Sequence, residues 1–235
     1  MNSKIKQKDL ELIETQQRIY DGFNEFVISS DIKVFGKLLA RTQLMTAVKD
    51  VPGDIIECGV FKGSGLFSLL KLKRYLCPNT SKKVIGFDFF DSENLIEGLK
   101  GKDKQAMAAL FETRSFSHEK EFSSTLSDKI LSCGFAENEF ELITGDVCET
   151  SKKFVDERPG AKISLLYMDL DLAHPTYETL KNLWPRVSKG GIVVFDEYGY
   201  HRWSESSGAD MFVSEVNAKL VSMNYTCPTA FIVKE

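Results

Sequence analysis

Short apolar runs separated by stretches of helical periodicity dominate the pattern of this chain. Asp54–Cys58, Lys83–Phe87, Phe140–Thr144, the run beginning at Ile163, and Ile192–Phe195 have the length and apolarity of buried strands. Between them, apolar residues recur at helical spacing: Leu66, Leu69, Leu70 and Leu72/Tyr75 in one segment, Tyr177, Leu180 and Leu183/Trp184 in another. Pro175 suits the first turn of that second helix, Pro185 ends it, and Gly190-Gly191 reads as a turn. Further helices are predicted over Ser124–Cys133, with Gly134 as its C-cap, over Lys152–Asp156, and over Ala209–Met223. Tyr225–Lys234 contains Pro228, which predicts two short strands or one broken edge strand.

Two helices precede the first strand. Residues 4–27 carry Ile5, Leu12, Ile13, Ile19, Phe23 and Phe26 among charges, in an imperfect pattern that Gly22 weakens. Ser30 or Asp31 can cap the next helix, where Val34, Phe35, Leu38, Leu39, Thr42, Met45 and Val48 form an amphipathic stripe. Residues 1–50 are therefore a helical extension that covers the ligand rim, builds a dimer interface or packs beside the sheet. Pro52-Gly53 then opens an α/β domain over residues 51–235.

The chemistry concentrates after the strands. Residues 165–195 read as strand, helix and strand, a right-handed parallel crossover that brings both carboxyl ends to one rim. That rim is where open α/β sheets bind ligands. Asp169 and Asp171 follow the first of these strands, Asp196 and Glu197 the second. Four carboxylates gathered there raise one another's pKa unless a cation sits among them. A hard divalent ion such as Mg²⁺ suits them, and solvated loop acids are the plainer alternative. The first strand, ending Glu57-Cys58, runs into Gly59-Val-Phe-Lys62-Gly63-Ser64-Gly65, a glycine turn that opens a helix. Such a turn lets backbone approach a ligand and offers helix N-terminal N–H donors. Asp88 ends the second strand, where a ribose diol is commonly gripped. Residues 91–120 are polar and poorly periodic, some of them helical around Gln105–Phe111, and read as a rim insertion acting as a specificity segment or lid. The loop after Glu197, YGYHRWSESSGAD, suits an acceptor pocket or a packed surface loop.

Composition narrows the classes. The 235 residues, 43% hydrophobic and 27% charged, fit one globular domain. A net charge of −4 argues against a general nucleic-acid binder. No run of about 18 apolar residues predicts a membrane span, and the charged N-terminus lacks a signal-peptide core. Five cysteines without metal-type spacing read as free thiols of a cytoplasmic protein. Three histidines argue against a multi-histidine metal site.

GDIIECGVFKGSG, VIGFDFF, GDVCET and MDLDL with GGIVVFDEY together resemble the macrocin O-methyltransferase family, over about residues 51–215. The resemblance implies a Rossmann-like class I methyltransferase fold, a mostly parallel seven-stranded sheet flanked by helices. It also implies an S-adenosylmethionine- and Mg²⁺-dependent enzyme that methylates a hydroxyl of a sugar, sugar nucleotide or other small metabolite. By the same resemblance, Glu57, Gly59 and Gly63 would hold the methionine end of the cofactor, Lys62 and Ser64 would belong to the same cofactor site, Asp88 would bond the ribose, and Asp146 would lie near the adenine. Asp169, Asp196 and Glu197 would hold the metal and Asp171 would be the general base. This chain departs from the family's pattern in having Leu170 between the first acids, Glu197 where a second Asp is usual, and no Tyr soon after Asp171. Alternatives are a short-chain-type NAD(P) oxidoreductase, for which Tyr177 and Lys181 mimic the catalytic pair, a metal-dependent hydroxylase on the same scaffold, and a non-catalytic cofactor-binding subunit.

Overall fold

The computed structural model describes residues 7–118 and 121–235, so Ile5 lies outside the described residues. Seven strands form one sheet: β1 (Asp54–Cys58), β2 (Val84–Asp88), β3 (Phe140–Thr144), β4 (Ile163–Met168), β5 (Val187–Phe195), β6 (Val221–Ser222) and β7 (Ala230–Val233). Their order is β3-β2-β1-β4-β5-β7-β6, with β7 antiparallel to both neighbours. Helices α1 (Gln7–Ile28), α2 (Ile32–Val48) and α3 (Ser64–Leu76) come first. They are followed by α4 (Ser92–Gly98), α5 (Gly101–Thr113), α6 (Phe122–Ser132), α7 (Val147–Glu157), α8 (Ala173–Leu183) and α9 (Glu205–Val216).

Alternation along the strands sorts two cores onto the two sheet faces. Ile55, Leu165, Tyr167, Ile192 and Val194 meet Ala40, Leu44, Met45 and Val48 of α2 and Leu66, Leu69 and Leu70 of α3. Ile56, Cys58, Phe87, Leu166, Met168, Val193 and Phe195 meet α7, α8 and α9 through Phe154, Leu180 and Phe212. Each fully buried Leu, Val or Ile contributes about 1.5–3 kcal/mol. The central strands are buried on both faces, so they read as continuous apolar runs rather than alternating ones.

Several boundaries differ from the expected ones. Of the stripe expected to bury α2 only Met45 and Val48 are buried, joined by Ala40 and Leu44; Val34, Phe35, Leu38 and Leu39 are all more than 40% exposed. The face turned inward in the first half of α2 instead carries Lys33 and Lys37, which reach the sheet's acids. Tyr75 is 86% exposed, so it does not share the inner side of α3. The 91–120 insertion is mostly two helices, tied down by Met107 and Phe111 against Leu172. Helix α7 spans the whole of 147–157, capped by Asp146, whose side chain accepts from Cys148 N–H at 2.9 Å. Gly190-Gly191 lies within β5 because Gly190 N–H donates to Lys234 and Gly191 accepts from it. Helix α9 stops at Val216, where Asn217 turns left-handed at φ 50°, and the residues beyond pair as β6 with β7.

Candidate active site

Parallel register sets the site. Phe87 pairs with Cys58, Cys58 with Met168, and Met168 with Phe195. The residues one step on, Asp88, Gly59, Asp169 and Asp196, therefore end four adjacent strands in one row. The ladder extends through that row, with Gly59 N–H donating to Phe87, Asp169 N–H to Cys58 and Asp196 N–H to Met168 at 2.8–3.0 Å. Alternation also puts Glu57, Tyr167 and Asp169 on the face that carries α2.

At the β1–β2 end, backbone does the holding. Gly59 has φ 93°, and a Cβ there would stand 1.9 Å from the Asp169 carbonyl oxygen, so only glycine lets β1 and β4 end side by side. Asp88 accepts from Val60 N–H and Phe61 N–H at 2.7 and 2.8 Å through one oxygen, and from Phe90 N–H at 2.8 Å through the other. It thus clasps the glycine turn to the loop after β2. Glu57 is buried, and burial pushes its carboxyl up to about 8 although Arg41 lies beside it at 3.4 Å. Gly65 leaves room for that carboxylate, since a Cβ would sit 1.9 Å from Glu57 Oε1. Glu57 Oε2 has no partner among the described residues. A buried, unsatisfied carboxylate oxygen at the mouth of a glycine turn fits the ammonium of an amino-acid moiety such as the methionine end of S-adenosylmethionine. Lys62, by contrast, extends to the insertion, bonding Arg114 O at 3.3 Å and lying 4.8 Å over the Phe116 ring.

At the β4–β5 end, side-chain cations do the holding. Lys33, Lys37 and Arg41 stand four residues apart on α2, so they share one face. Lys33 pairs with Glu197 at 2.6 Å, Lys37 with Asp196 at 2.6 Å and Asp169 at 3.5 Å, and Arg41 with Glu57. Asp196 is fully buried; it also accepts from Tyr167 Oη at 2.6 Å and from the Cys227 thiol at 3.0 Å. Burial pushes its carboxyl up, but Lys37 and the Cys227 and Tyr167 hydrogen bonds bring it below the usual range. Loss of solvent and the Asp196 charge push Asp169 up to about 7. Asp171, at φ 65°, is raised well above its ordinary value by loss of solvent and by Asp169 and Asp196. Its carbonyl accepts from Ser204 and Glu205 N–H, and the buried Glu205 carboxylate accepts from Glu197 N–H at 3.0 Å, so one helix start ties the two acid loops together.

Two carboxylate oxygens converging on one ammonium make a cation-binding geometry. Asp196, Glu197 and Cys227 also offer donor atoms within 4.8 Å of one another. The carboxylates fit a hard divalent cation, with the thiol an unplanned soft neighbour.

Several of these participants escaped the sequence reading. The 33/37/41 spacing was the available signal for the cation ladder, masked by the apolar stripe beside it. Tyr167 and Cys227 carried no signal, being one apolar-run residue and one lone cysteine. His118 lies buried among Phe90, Phe111, Phe116 and Phe122, with Nε2 3.3 Å from Phe61 O, which joins the insertion to the glycine turn. Tyr177 and Lys181, the pair of the dehydrogenase alternative, sit on α8, and the Tyr177 hydroxyl donates to Glu215.

The Macrocin-O-methyltransferase (TylF) family matches residues 37–227. Among curated relatives, the 8-demethyl-8-(2,3-dimethoxy-alpha-L-rhamnosyl)-tetracenomycin-C 4'-O-methyltransferase of Streptomyces olivaceus is 27% identical over 191 residues, 77% of this chain and 69% of that protein. Demethyldecarbamoylnovobiocin O-methyltransferase of Streptomyces niveus is 28% identical over 153 residues, 63% of this chain and 54% of that protein. Among solved structures, a calicheamicin methyltransferase superposes with a TM-score of 0.72 at 24% identity, covering 99% of this chain and 94% of its own. The O-methyltransferase NovP gives 0.69 at 22% identity, covering 85% and 79%. These folds share the seven-stranded arrangement, and the match across most of the sequence adds the chemistry: the chain belongs to the macrocin O-methyltransferase family and is an O-methyltransferase.

Proposed function

We propose that this enzyme transfers the methyl group of S-adenosylmethionine to a hydroxyl of a sugar, sugar nucleotide or similar small natural-product acceptor. The observation that carries this is the strand-end row, which sets the glycine turn beside the acids at 169 and 196, with Glu57 on the same sheet face. The two curated relatives, both O-methyltransferases and one named for a rhamnosyl-bearing substrate, support the acceptor class.

In this reading Glu57 receives the ammonium of the cofactor, Gly59, Gly63 and Ser64 let its methionine end approach the backbone, and Asp88 faces its ribose. Lys62 serves indirectly, by joining the turn to the insertion. Asp146, fixed as an N-cap, borders the adenine. Asp169, Asp196 and Glu197 would hold Mg²⁺, which when bound supplies a Lewis acid that lowers the pKa of the acceptor hydroxyl. Asp171 takes the hydroxyl proton; loss of solvent and the neighbouring Asp169 and Asp196 charges raise the affinity of its carboxyl for protons, which favours that role. The rest of the rate gain comes from holding acceptor oxygen, methyl carbon and sulfur in line. Residues 1–50 serve as lid and homodimer surface, consistent with the exposure of Ile19, Tyr20 and Phe23 on α1.

Calorimetric titration with S-adenosylhomocysteine, alongside NAD⁺, tests the cofactor assignment, and micromolar binding of the former alone is expected. An acceptor screen with Mg²⁺ or a chelator tests the rest. Turnover indifferent to chelation would remove the metal from this reading.

A further inference from the structure

We propose that Lys37 is a tethered competitor for the divalent cation of this rim, so that metal loading and lifting of the first half of α2 are one event. The inference rests on the metal reading above. The Lys37 ammonium stands 2.6 Å from Asp196 Oδ2 and 3.5 Å from Asp169 Oδ2, the point on which two of the metal-binding carboxylates converge. A divalent ion and an ammonium cannot share that point, because both need the same lone pairs and repel each other. With Lys37 seated, the Asp196 side chain has no solvent exposure, so an acceptor hydroxyl has no access to it. Lys33 strengthens the closure by pairing with Glu197 and lying 5.3 Å over the Tyr200 ring of the acceptor loop.

The helix is built to open at that end. Its second half is anchored in the core by Ala40, Leu44, Met45 and Val48, whereas Ile32, Val34, Phe35, Leu38 and Leu39 around the lysines remain exposed. Gly36 lies between the two lysines, and a Cβ there would meet nothing nearer than Tyr225 at 3.9 Å. Packing does not require glycine at that position, and its effect is to weaken the helix by about 0.5–1 kcal/mol relative to alanine. Removing the ion pairs by metal entry therefore leaves a segment whose other holds are weak, Gly36 beside Tyr225 and Phe35 against Phe26 of α1.

Mn²⁺ titration followed by electron paramagnetic resonance, with hydrogen exchange of residues 32–41, tests this on the full chain. Lys37→Met, which keeps the apolar stem, should bind Mn²⁺ about tenfold more tightly than wild type, while Lys37→Arg should stay near the wild-type value. In wild type, Mn²⁺ should speed exchange across residues 32–41; in Lys37→Met exchange should be fast already and insensitive to the ion. Equal or weaker Mn²⁺ binding by Lys37→Met, or slower exchange on loading, overturns the proposal. Absence of Mn²⁺ binding in all three proteins overturns it together with the metal reading, and S-adenosylhomocysteine binding then tells whether the cofactor site survives. Cooperative thermal unfolding of all three proteins, with Lys37→Met melting lower for loss of the buried pair, establishes that the comparison is between folded molecules.

Discussion

The two ends of the catalytic rim hold their acids by different means. At β1–β2, Asp88 is fixed by three backbone N–H groups from its own loop and from the glycine turn. At β4–β5, Asp196 and Glu197 are balanced by Lys33 and Lys37 from a helix more than 150 residues earlier in the chain. A backbone clasp is rigid and, in the function proposed above, suits the ribose, a part of the cofactor that the reaction leaves unchanged. Side-chain cations are exchangeable, which suits the acceptor and metal roles proposed for that end.

The sharpest break of this contrast is at Asp171, the base of the proposed reaction. Asp171→Asn should lower kcat by about 10³-fold while leaving S-adenosylhomocysteine affinity within about twofold, measured by steady-state kinetics and calorimetry. Substantial residual turnover would remove Asp171 as the base. Next in size is Asp88→Ala, which strips an acceptor from three backbone donors and should cost about 2–3 kcal/mol in chemical denaturation. If the clasp is as local as it looks, that variant also weakens cofactor binding without changing Mn²⁺ affinity; a coupled loss of both would erase the distinction between the two ends. Tyr167→Phe removes the hydroxyl bond to buried Asp196 and should cost about 1 kcal/mol, with the cofactor affinity unmoved.

The smallest effect lies outside the rim and calibrates the others. Glu139 is held below its ordinary value by the Ala136 N–H and by Lys73 and Arg74, and Glu141 by Arg158. A depressed carboxyl stabilises the fold fully above its unfolded value of 4.5, and that stabilisation is lost as pH falls through the folded value. Both pairs are partly exposed, so each contributes less than about 1 kcal/mol. Glu141→Gln should flatten the fall of melting temperature below pH 4.5 slightly; a steepened fall would reverse the sign assigned here.

Much of this molecule was legible in one dimension. The five parallel strands, the glycine turn and the acids that follow the strands depend on near neighbours in the chain. An apolar run of strand length, a glycine after it and a carboxylate beside the glycine are local patterns with local physical causes. The Asp31 cap and the stop at Pro185 belong to the same class. Within Tyr225–Lys234 only β7 forms, after Pro228; its partner β6 lies at Val221–Ser222, in a stretch whose pattern predicts helix, so that pairing was not legible locally.

What only the tertiary structure decided is which face of α2 turns inward and what then meets the acids. By composition, a helix whose first half carries Val34, Phe35, Leu38 and Leu39 should bury those residues. In the fold, four clustered carboxylates at the sheet's end draw Lys33, Lys37 and Arg41 inward instead. Desolvated charges of one sign need opposite charge nearby more than a half-buried leucine needs cover. That preference arises only once the parallel register has put Asp169 and Asp196 side by side, and no window of sequence around α2 contains them.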